Sequence, residues 1–439
     1  MGSSRIAFDP WEGSYAPRME HLRRSAVRDL FAAISRPDVI GLSGGSPDIS
    51  SLPLDEVSEM AARAIREEGV KALQYGGSEG RVEMRETVCR LLAEDGIDVT
   101  PDDLILTAGS QQALDFLGRM FVSPGDVVLC EGPTYLGALQ ALSAYEPRIV
   151  CVEMDEDGMV PEALEERLRE LGPRGAKLIY TIPNFQNPTG ATLSLERRRR
   201  IVELARAYEV PLVEDDPYGR LRYEGEHVPP MRSMDDGVIY LGTTSKIFAP
   251  GLRLAWMVAP RPVLARANLC LQGAGLCVSA LSQVMAERYF REVDWRSVME
   301  RTRAVYRERR DAMLDALART FGPEVRWTWP KGGFFVWLTL PPYFDTDQIL
   351  SHALRRGVAY VPGTNCYPDE RGASSMRIAF CYETPERIRE AIARLADVVS
   401  DRMGLYRAFM AAGALPEEPA RATRQLGEHY PSPFATEGK

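Results

Sequence analysis

A lysine placed between two apolar runs is the residue of this chain with the most chemistry within reach. Val238 to Thr243 leads through Thr244-Ser245 to Lys246, and a second apolar run, Leu254 to Val258, follows shortly after. A lysine taken alone is far more often a surface residue than a buried one. One held out of water beside other cations has a lowered pKa and becomes a nucleophile towards aldehydes. Other polar clusters also sit directly behind apolar runs. Thr107-Ala108-Gly109-Ser110-Gln111 closes Leu104 to Thr107 and precedes a helical pattern. Its small residues suit an anion at the positive end of a helix, and equally an ordinary loop with an N-cap. Asn184-Phe185-Gln186-Asn187-Pro188-Thr189-Gly190 follows Lys177 to Thr181 and has the composition of a turn. Glu214-Asp215-Asp216-Pro217-Tyr218 follows Val210 to Val213. Adjacent carboxylates at the mouth of a buried strand are costly without a compensating cation; a helix N-cap by Asp215 or Asp216 accounts for them as well.

The elements that must position these clusters form an alternation of short β-branched runs with longer helical patterns, which predicts an α/β protein with a largely parallel sheet. Seven runs read as strands: Leu104 to Thr107, Val127 to Cys130, Arg148 to Val152, Lys177 to Thr181, Val210 to Val213, Val238 to Thr243 and Leu254 to Val258. Runs this apolar suit strands covered on both faces. Between them, Gln111 to Phe121 sets Leu114, Leu117 and Phe121 on one helical face, and Leu195 to Tyr208 is a second helix. Glu287 to Leu317 reads as one long charged helix. Beyond Trp329-Pro330, the strand Phe334 to Leu340, the helix Thr346 to Arg356, the strand Met376 to Cys381 and the helix Pro385 to Met403 predict a smaller α+β domain. The expected division is an arm and helix over residues 1–45 packing with the small domain, a large domain over 46–315, the small domain over 316–408 and an irregular tail over 409–439. In doubly wound sheets ligands bind beyond the carboxyl ends of the strands, which is where the polar clusters fall.

The totals narrow the function classes. The chain has 439 residues, 45% of them apolar and 26% charged, with a net charge of −9. That acidity argues against a nucleic-acid binder, so an anionic substrate would have to be met by local arginines. Seven cysteines without a CxxC pattern read as reduced thiols of a cytoplasmic protein. Four histidines far apart in sequence speak against a His-rich metal site, and none is expected. Neither the secretory h-region nor a membrane span of about 20 apolar residues is evident.

Together the clusters resemble those of fold type I enzymes that use pyridoxal 5′-phosphate (PLP), the aspartate aminotransferase-like fold. The match is with class I/II aminotransferases, in the branch of 2-aminoadipate, kynurenine and aromatic aminotransferases. Ser245-Lys246-Ile247-Phe248-Ala249-Pro250-Gly251-Leu252-Arg253-Leu254-Ala255-Trp256 is similar to the family's lysine signature almost residue for residue. Gly109-Ser110-Gln111-Gln112, Pro133-Thr134-Tyr135, Asn187-Pro188-Thr189-Gly190, Asp215-Asp216-Pro217-Tyr218, Pro330-Lys331-Gly332-Gly333-Phe334-Phe335 and Arg377 match in order and spacing. The likeness spans Leu42 to Met403.

The resemblance implies that Lys246 carries PLP as a Schiff base and moves the substrate's Cα proton. It implies that Asp215 pairs with the pyridine nitrogen, keeping the ring an electron sink. Asn187 and Tyr218 would hydrogen-bond the phenolate oxygen, and Tyr135 would stack on the ring. Ser110, Gln111, Thr243, Ser245 and Arg253 would hold the phosphate, and Arg377 would clamp the α-carboxylate with a fork that a lysine lacks. Gly44 and Gly45 resemble the loop that closes over the substrate. Tyr75 resembles a tyrosine that reaches the neighbouring subunit's phosphate, which would make the protein a homodimer with a shared active site. Cys366, where an aromatic residue is usual, and Leu52, in place of a common phenylalanine before Pro53, fall in segments that shape the substrate pocket. The expected reaction moves an amino group from an L-amino acid to a 2-oxo acid, 2-oxoglutarate and glutamate forming one pair. The same site can run other PLP chemistry (lyase, decarboxylase, racemase or oxidase). The domain also serves as the sensor of transcription regulators, which carry an N-terminal winged helix for which the stretch before Leu42 leaves no room.

Overall fold

In the computed structural model, residues 9–20, 22, 36–369 and 371–412 are described. The strands in chain order are β1 (Ile40–Gly41), β2 (Leu104–Thr107), β3 (Val127–Gly132), β4 (Arg148–Asp155), β5 (Gly158–Met159), β6 (Ala176–Thr181), β7 (Leu212–Asp215), β8 (Ile239–Thr243) and β9 (Ala255–Val258). They continue with β10 (Arg326–Trp327), β11 (Phe335–Thr339), β12 (Val358–Ala359), β13 (Val361–Pro362) and β14 (Ser375–Ala379). The main helices are α1 (Leu54–Leu73), α2 (Val82–Ala93), α3 (Ser110–Phe121), α4 (Leu136–Ser143), α5 (Pro161–Leu171) and α6 (Leu195–Ala207). After them come α7 (Arg261–Gly275), α8 (Ala280–Glu292), α9 (Trp295–Thr320), α10 (Thr346–Arg355) and α11 (Pro385–Ala411).

The large sheet has the order β2-β9-β8-β7-β6-β3-β4-β5. Its β8-β7-β6-β3-β4 body is parallel, whereas β9 runs antiparallel to both β2 and β8. All seven expected strands form. The two-residue β5, which hairpins back on β4, makes eight. Alternation along β3 shows why these strands read as continuous apolar runs: Val127 and Leu129 join one core cluster with Leu164, Leu168 and Ile201. Val128 and Cys130 join the other, with Leu114, Phe116 and Trp256. Both faces are therefore covered, α5 and α6 packing on one another at one side and α3 and α7 at another.

A second, fully antiparallel sheet has the order β10-β11-β14-β13. It is flanked by α10 and by α11, which packs along α9. β1 runs parallel to β12, tying the start of the segment Leu42–Gly45 to this half of the molecule. The N-terminal helix expected before it and most of the expected tail lie outside the described residues. The long stretch Glu287 to Leu317 is two helices, not one. Val293 is extended (φ −97°, ψ 141°), and the Asp294 side chain accepts from Ser297 N to start α9. An N-cap acid satisfies an orphan backbone N–H, so α9 begins afresh there. α9 then passes through the expected boundary at 315 without a break, and α11 runs to Ala411, beyond the expected end at Met403.

Candidate active site

The topology gathers the polar clusters at one edge. The parallel strands β3, β6, β7 and β8 all end there. Because β9 is reversed, its first residue Ala255 pairs with both Thr107 and Thr243 at that same edge. The segments after β2, β3, β6, β7 and β8, and the residue Arg253 just before β9, thus converge. The second sheet contributes Arg377 from β14 and Phe335 from β11; in their ladder Arg377 lies opposite Trp337 and Phe335 opposite Ala379.

Lys246 closes a short 3-10 turn (Thr244–Lys246) after β8. Its Nζ donates to the carbonyl of Gly45 at 2.8 Å and lies 5.4 Å from the Phe334 ring centre and 6.0 Å from that of Tyr218. Burial lowers its pKa to about 8, with Arg377 and Arg253 pushing the same way and the Cys381 thiol opposing. This is the desolvated amine near other cations that the sequence suggested.

The three carboxylates at the end of β7 part company, as alternation in a strand requires. Glu214 turns to one face, where it accepts from Met231 N (2.9 Å) and Arg232 N (2.8 Å). Asp216 accepts from Gly219 N at 2.8 Å, so it caps a turn; no helix begins there, and the N-cap reading is corrected to that extent. Asp215 is buried, takes the Tyr180 hydroxyl on Oδ2 at 2.8 Å, and has no partner for Oδ1. Burial raises its pKa to about 7. A buried carboxylate oxygen without a donor is a costly feature that a cationic N–H would relieve.

At the start of α3, Gly109 (φ 91°) replaces a side-chain cap, and the Ser110 hydroxyl is buried without a partner. A Cβ at Gly109 would collide with the Arg253 guanidinium. Arg253 itself sits in the left-handed region (φ 50°), a strain of roughly 1–2 kcal/mol for a side-chain-bearing residue. Among the described residues it donates only to the carbonyls of Pro250 (3.2 Å) and Ala108 (3.3 Å). Thr243 accepts from Ser245 N at 3.1 Å and donates to either Ser245 Oγ or the Leu254 carbonyl, which fixes that hydroxyl pair beside them. An open helix N-terminus, the unpartnered Ser110 hydroxyl and a guanidinium with no carboxylate partner among the described residues are chemically suited to an anion. The Gln111 amide donates one hydrogen to the Gly137 carbonyl (2.6 Å) and accepts from Tyr135 Oη (3.4 Å), which leaves its second amide hydrogen and its backbone N–H for an anion.

Arg377 is buried, with Nη1 donating to Asn187 Oδ1 (2.9 Å), Nη2 to the Ser43 carbonyl (2.7 Å) and Nε to nothing. Its guanidinium carbon lies 4.3 Å from the Phe335 ring centre. With Oδ1 engaged, the Asn187 NH2 is the end free to donate elsewhere. Tyr135 lies within electrostatic reach of Asp215, Arg377 and Arg253, and Tyr218 within reach of Tyr135, Arg377 and Asp215. Tyr218 also packs edge-on against Phe334 and Phe335. Cys366 is fully buried, and its carbonyl accepts from Thr134 N (2.8 Å); Leu52 is half-buried against the core.

Of the expected residues, one stands away. Tyr75, in the loop after α1, is 79% exposed and its hydroxyl has no hydrogen bond among the described residues. Sequence reasoning named Gly45 for the loop over the substrate but not its carbonyl as an acceptor, and it missed Tyr180, the main-chain acceptor Ser43, and Cys381, whose thiol is held at the Ser46 carbonyl (3.3 Å). A tyrosine followed by a threonine at the end of β6, after Leu178 and Ile179, was the only local signal for Tyr180. The main-chain acceptors leave none.

Residues 37–395 match the family described as aminotransferase class I and II. The chain is 40% identical over 398 residues to aromatic-amino-acid aminotransferase 1 of Thermococcus litoralis, covering 90% of this chain and 95% of that one. Among solved structures, it is similar to a kynurenine aminotransferase of Pyrococcus horikoshii in complex with PMP: TM-score 0.86, 40% identity, 90% of this chain and 98% of that one. It is also similar to an alpha-aminoadipate aminotransferase of Thermus thermophilus complexed with N-(5'-phosphopyridoxyl)-L-leucine: TM-score 0.84, 35% identity, 90% and 99% covered. The chain belongs to the class I and II aminotransferases, enzymes that work through pyridoxal 5′-phosphate, and it has their fold type I architecture.

Proposed function

We propose that this aminotransferase moves the amino group of an L-amino acid to a 2-oxo acid by a ping-pong route, with glutamate and 2-oxoglutarate as one pair and Lys246 as the residue that links to the cofactor. The observation that carries this reading is the buried Asp215, whose Oδ1 lacks a donor, at the same strand edge as a desolvated lysine and an arginine with no acid partner. When bound, PLP supplies an aldehyde for amines and a ring that takes up the electron pair released at the substrate Cα.

The chain's own residues do the rest. Asp215, oriented by Tyr180, holds a proton on the ring nitrogen, and a cation there satisfies its free oxygen. Ser110, Ser245, Thr243, Arg253 and the first N–H groups of α3 hold the phosphate. Asn187, steered by Arg377, and Tyr218 donate to the ring oxygen, and Tyr135 lies against the ring. Arg377 takes the substrate α-carboxylate, which orients Cα towards Lys246. Lys246 lifts the Cα proton and returns it one position away; an amine with a pKa of about 8 is well matched to both directions near neutral pH.

The subunit arrangement in this reading is a cytoplasmic homodimer. Tyr75 would complete the partner's phosphate site, and the exposed Val70, Leu73, Leu269 and Leu276 would be covered. All seven cysteines are free, in keeping with a reducing compartment. Among the described residues no helix is long and apolar enough to cross a membrane.

The direct test is the absorption spectrum of the yellow protein before and after excess L-glutamate without any oxo acid. Loss of the cofactor's visible band, replaced by that of the aminated cofactor and reversed by 2-oxoglutarate, is the expected result. An unchanged spectrum with glutamate and with a panel of amino acids would sink the transamination reading. Arg377→Lys is expected to lower kcat/KM for the amino acid about 100-fold, chiefly through KM, because the fork is worth roughly 2–3 kcal/mol over a point charge. A change below about threefold would show that the carboxylate binds elsewhere.

A further inference from the structure

Glu131 is the penultimate residue of β3 and is fully buried, yet no lysine or arginine pairs with it among the described residues. Its carboxylate is instead a pure acceptor. It takes the Thr181 hydroxyl on one oxygen, and the Ile182 N–H (3.2 Å) and the Gln186 amide (3.0 Å) on the other. Burial pushes its pKa up to about 7. A buried carboxyl with only neutral donors destabilises the fold more than an apolar residue would, so its presence here calls for a function.

Gln186 shows what that function is. Its amide nitrogen also donates to the Pro133 carbonyl (2.8 Å), and its oxygen accepts both Thr189 N and Thr189 Oγ1, each at 2.8 Å. Every polar atom of the side chain is used. One end is fixed to the segment that leads to Tyr135, the other to the turn that carries Asn187. Alternation puts Glu131 on the Val127–Leu129 face of the sheet, opposite the face of Cys130 and Tyr180 from which Asp215 is reached. Glu131 therefore acts on the site from behind the sheet, without touching what binds there.

We propose that Glu131 is a positioning residue for the transamination site: through Gln186 it sets the placement of Asn187 relative to Tyr135. The inference rests on the reading of those two residues as cofactor contacts. What matters is the acceptor and donor geometry, not the charge. A glutamine at 131 retains it, since its oxygen can take Ile182 N and Gln186 while its NH2 donates to a reoriented Thr181 hydroxyl.

The test uses the holoenzymes of Glu131→Ala, Gln186→Ala, their double variant, Glu131→Gln and Asn187→Ala. For each, the pH midpoint of the bound cofactor's visible band is measured with kcat, KM and Tm. A displaced Asn187 amide stabilises the ionised ring oxygen less, so Glu131→Ala and Gln186→Ala are expected to raise the midpoint by about half a unit or more. Both should lower kcat about tenfold with KM within about twofold. The double variant should be no worse than the poorer single one, and Glu131→Gln should recover the midpoint and kcat. A fall in Tm with an unmoved midpoint, additive effects in the double variant, or a Glu131→Gln as impaired as the alanine would each overturn the proposal. If Glu131→Ala does not fold, Gln186→Ala alone decides it by the same criterion. A midpoint unmoved by Asn187→Ala overturns the site reading beneath the clamp; one moved by Asn187→Ala but by neither clamp variant overturns the clamp alone.

Discussion

Lys246→Ala is expected to reduce kcat on the order of 10⁴-fold or more, because one amine serves both as the group that engages the cofactor and as the base at Cα. The loss should be chemical and not structural. Among the described residues the lysine ammonium makes one hydrogen bond, to the Gly45 carbonyl, and its cost of burial is relieved on removal. The variant should therefore retain its Tm and still bind the cofactor non-covalently through the anion site around Ser110 and Arg253. Borohydride reduction followed by mass analysis of peptides gives a second readout: the wild type should carry the cofactor's mass on Lys246, and the variant should carry none. Added methylamine, a free amine, should restore part of the rate. Turnover within about tenfold of wild type would remove Lys246 from the mechanism.

Asp215→Asn should cost on the order of 10³-fold in kcat, since an amide cannot hold a proton on the ring nitrogen as a carboxylate does. Its effect on stability has a definite sign. The folded-state pKa of Asp215 is raised by burial from 3.8 to about 7, so the fold favours the neutral acid. The stability lent by this group is present below about pH 4 and is lost as pH rises through 7, up to about 4 kcal/mol by linkage. The cofactor-free Asn variant should thus melt higher than the cofactor-free wild type at pH 8, and the gap should close towards pH 5. Glu214, whose burial raises its pKa to about 7, tilts both proteins alike and cancels in the difference; Glu131, raised chiefly by burial and least by Asp215, changes only by that last contribution. A gap independent of pH would mean that Asp215 is ionised and compensated without the cofactor.

What could be read from the sequence was what is local in it. Lys246 and Arg253 lie seven residues apart around the turn between β8 and β9, and contiguous spacing carries that motif. The apolar runs were legible as a sheet because strands buried on both faces keep their middles apolar and their polar residues at the ends. The break at Val293-Asp294 escaped because neither residue forbids a helix; only the capping bond from Ser297 N reveals the restart. The partners that orient the site escaped for another reason. Tyr180 meets Asp215 and Glu131 meets Gln186 across strands 35 and 55 residues apart, so which residues meet depends on strand order and register. Glu131 did leave a trace, a lone acid at the end of the run Val127 to Cys130, legible only once the sheet is known to bury both of its faces.

The segment over the site serves it entirely through its backbone: the carbonyls of Ser43 and Gly45 receive Arg377 and Lys246, and those of Gly44 and Ser46 receive the Cys381 thiol. Side chains there are free of that duty, which makes the segment a natural place for specificity to drift and for a directed library to be built. Randomising Ser46, whose side chain is exposed, should yield many folded, cofactor-competent clones that differ in the amino acid they prefer, whereas Ser43 is fully buried and tolerates only small residues. Gly45 is stricter still, because a Cβ there would sit 2.9 Å from the Phe335 ring and pry the segment off the lysine.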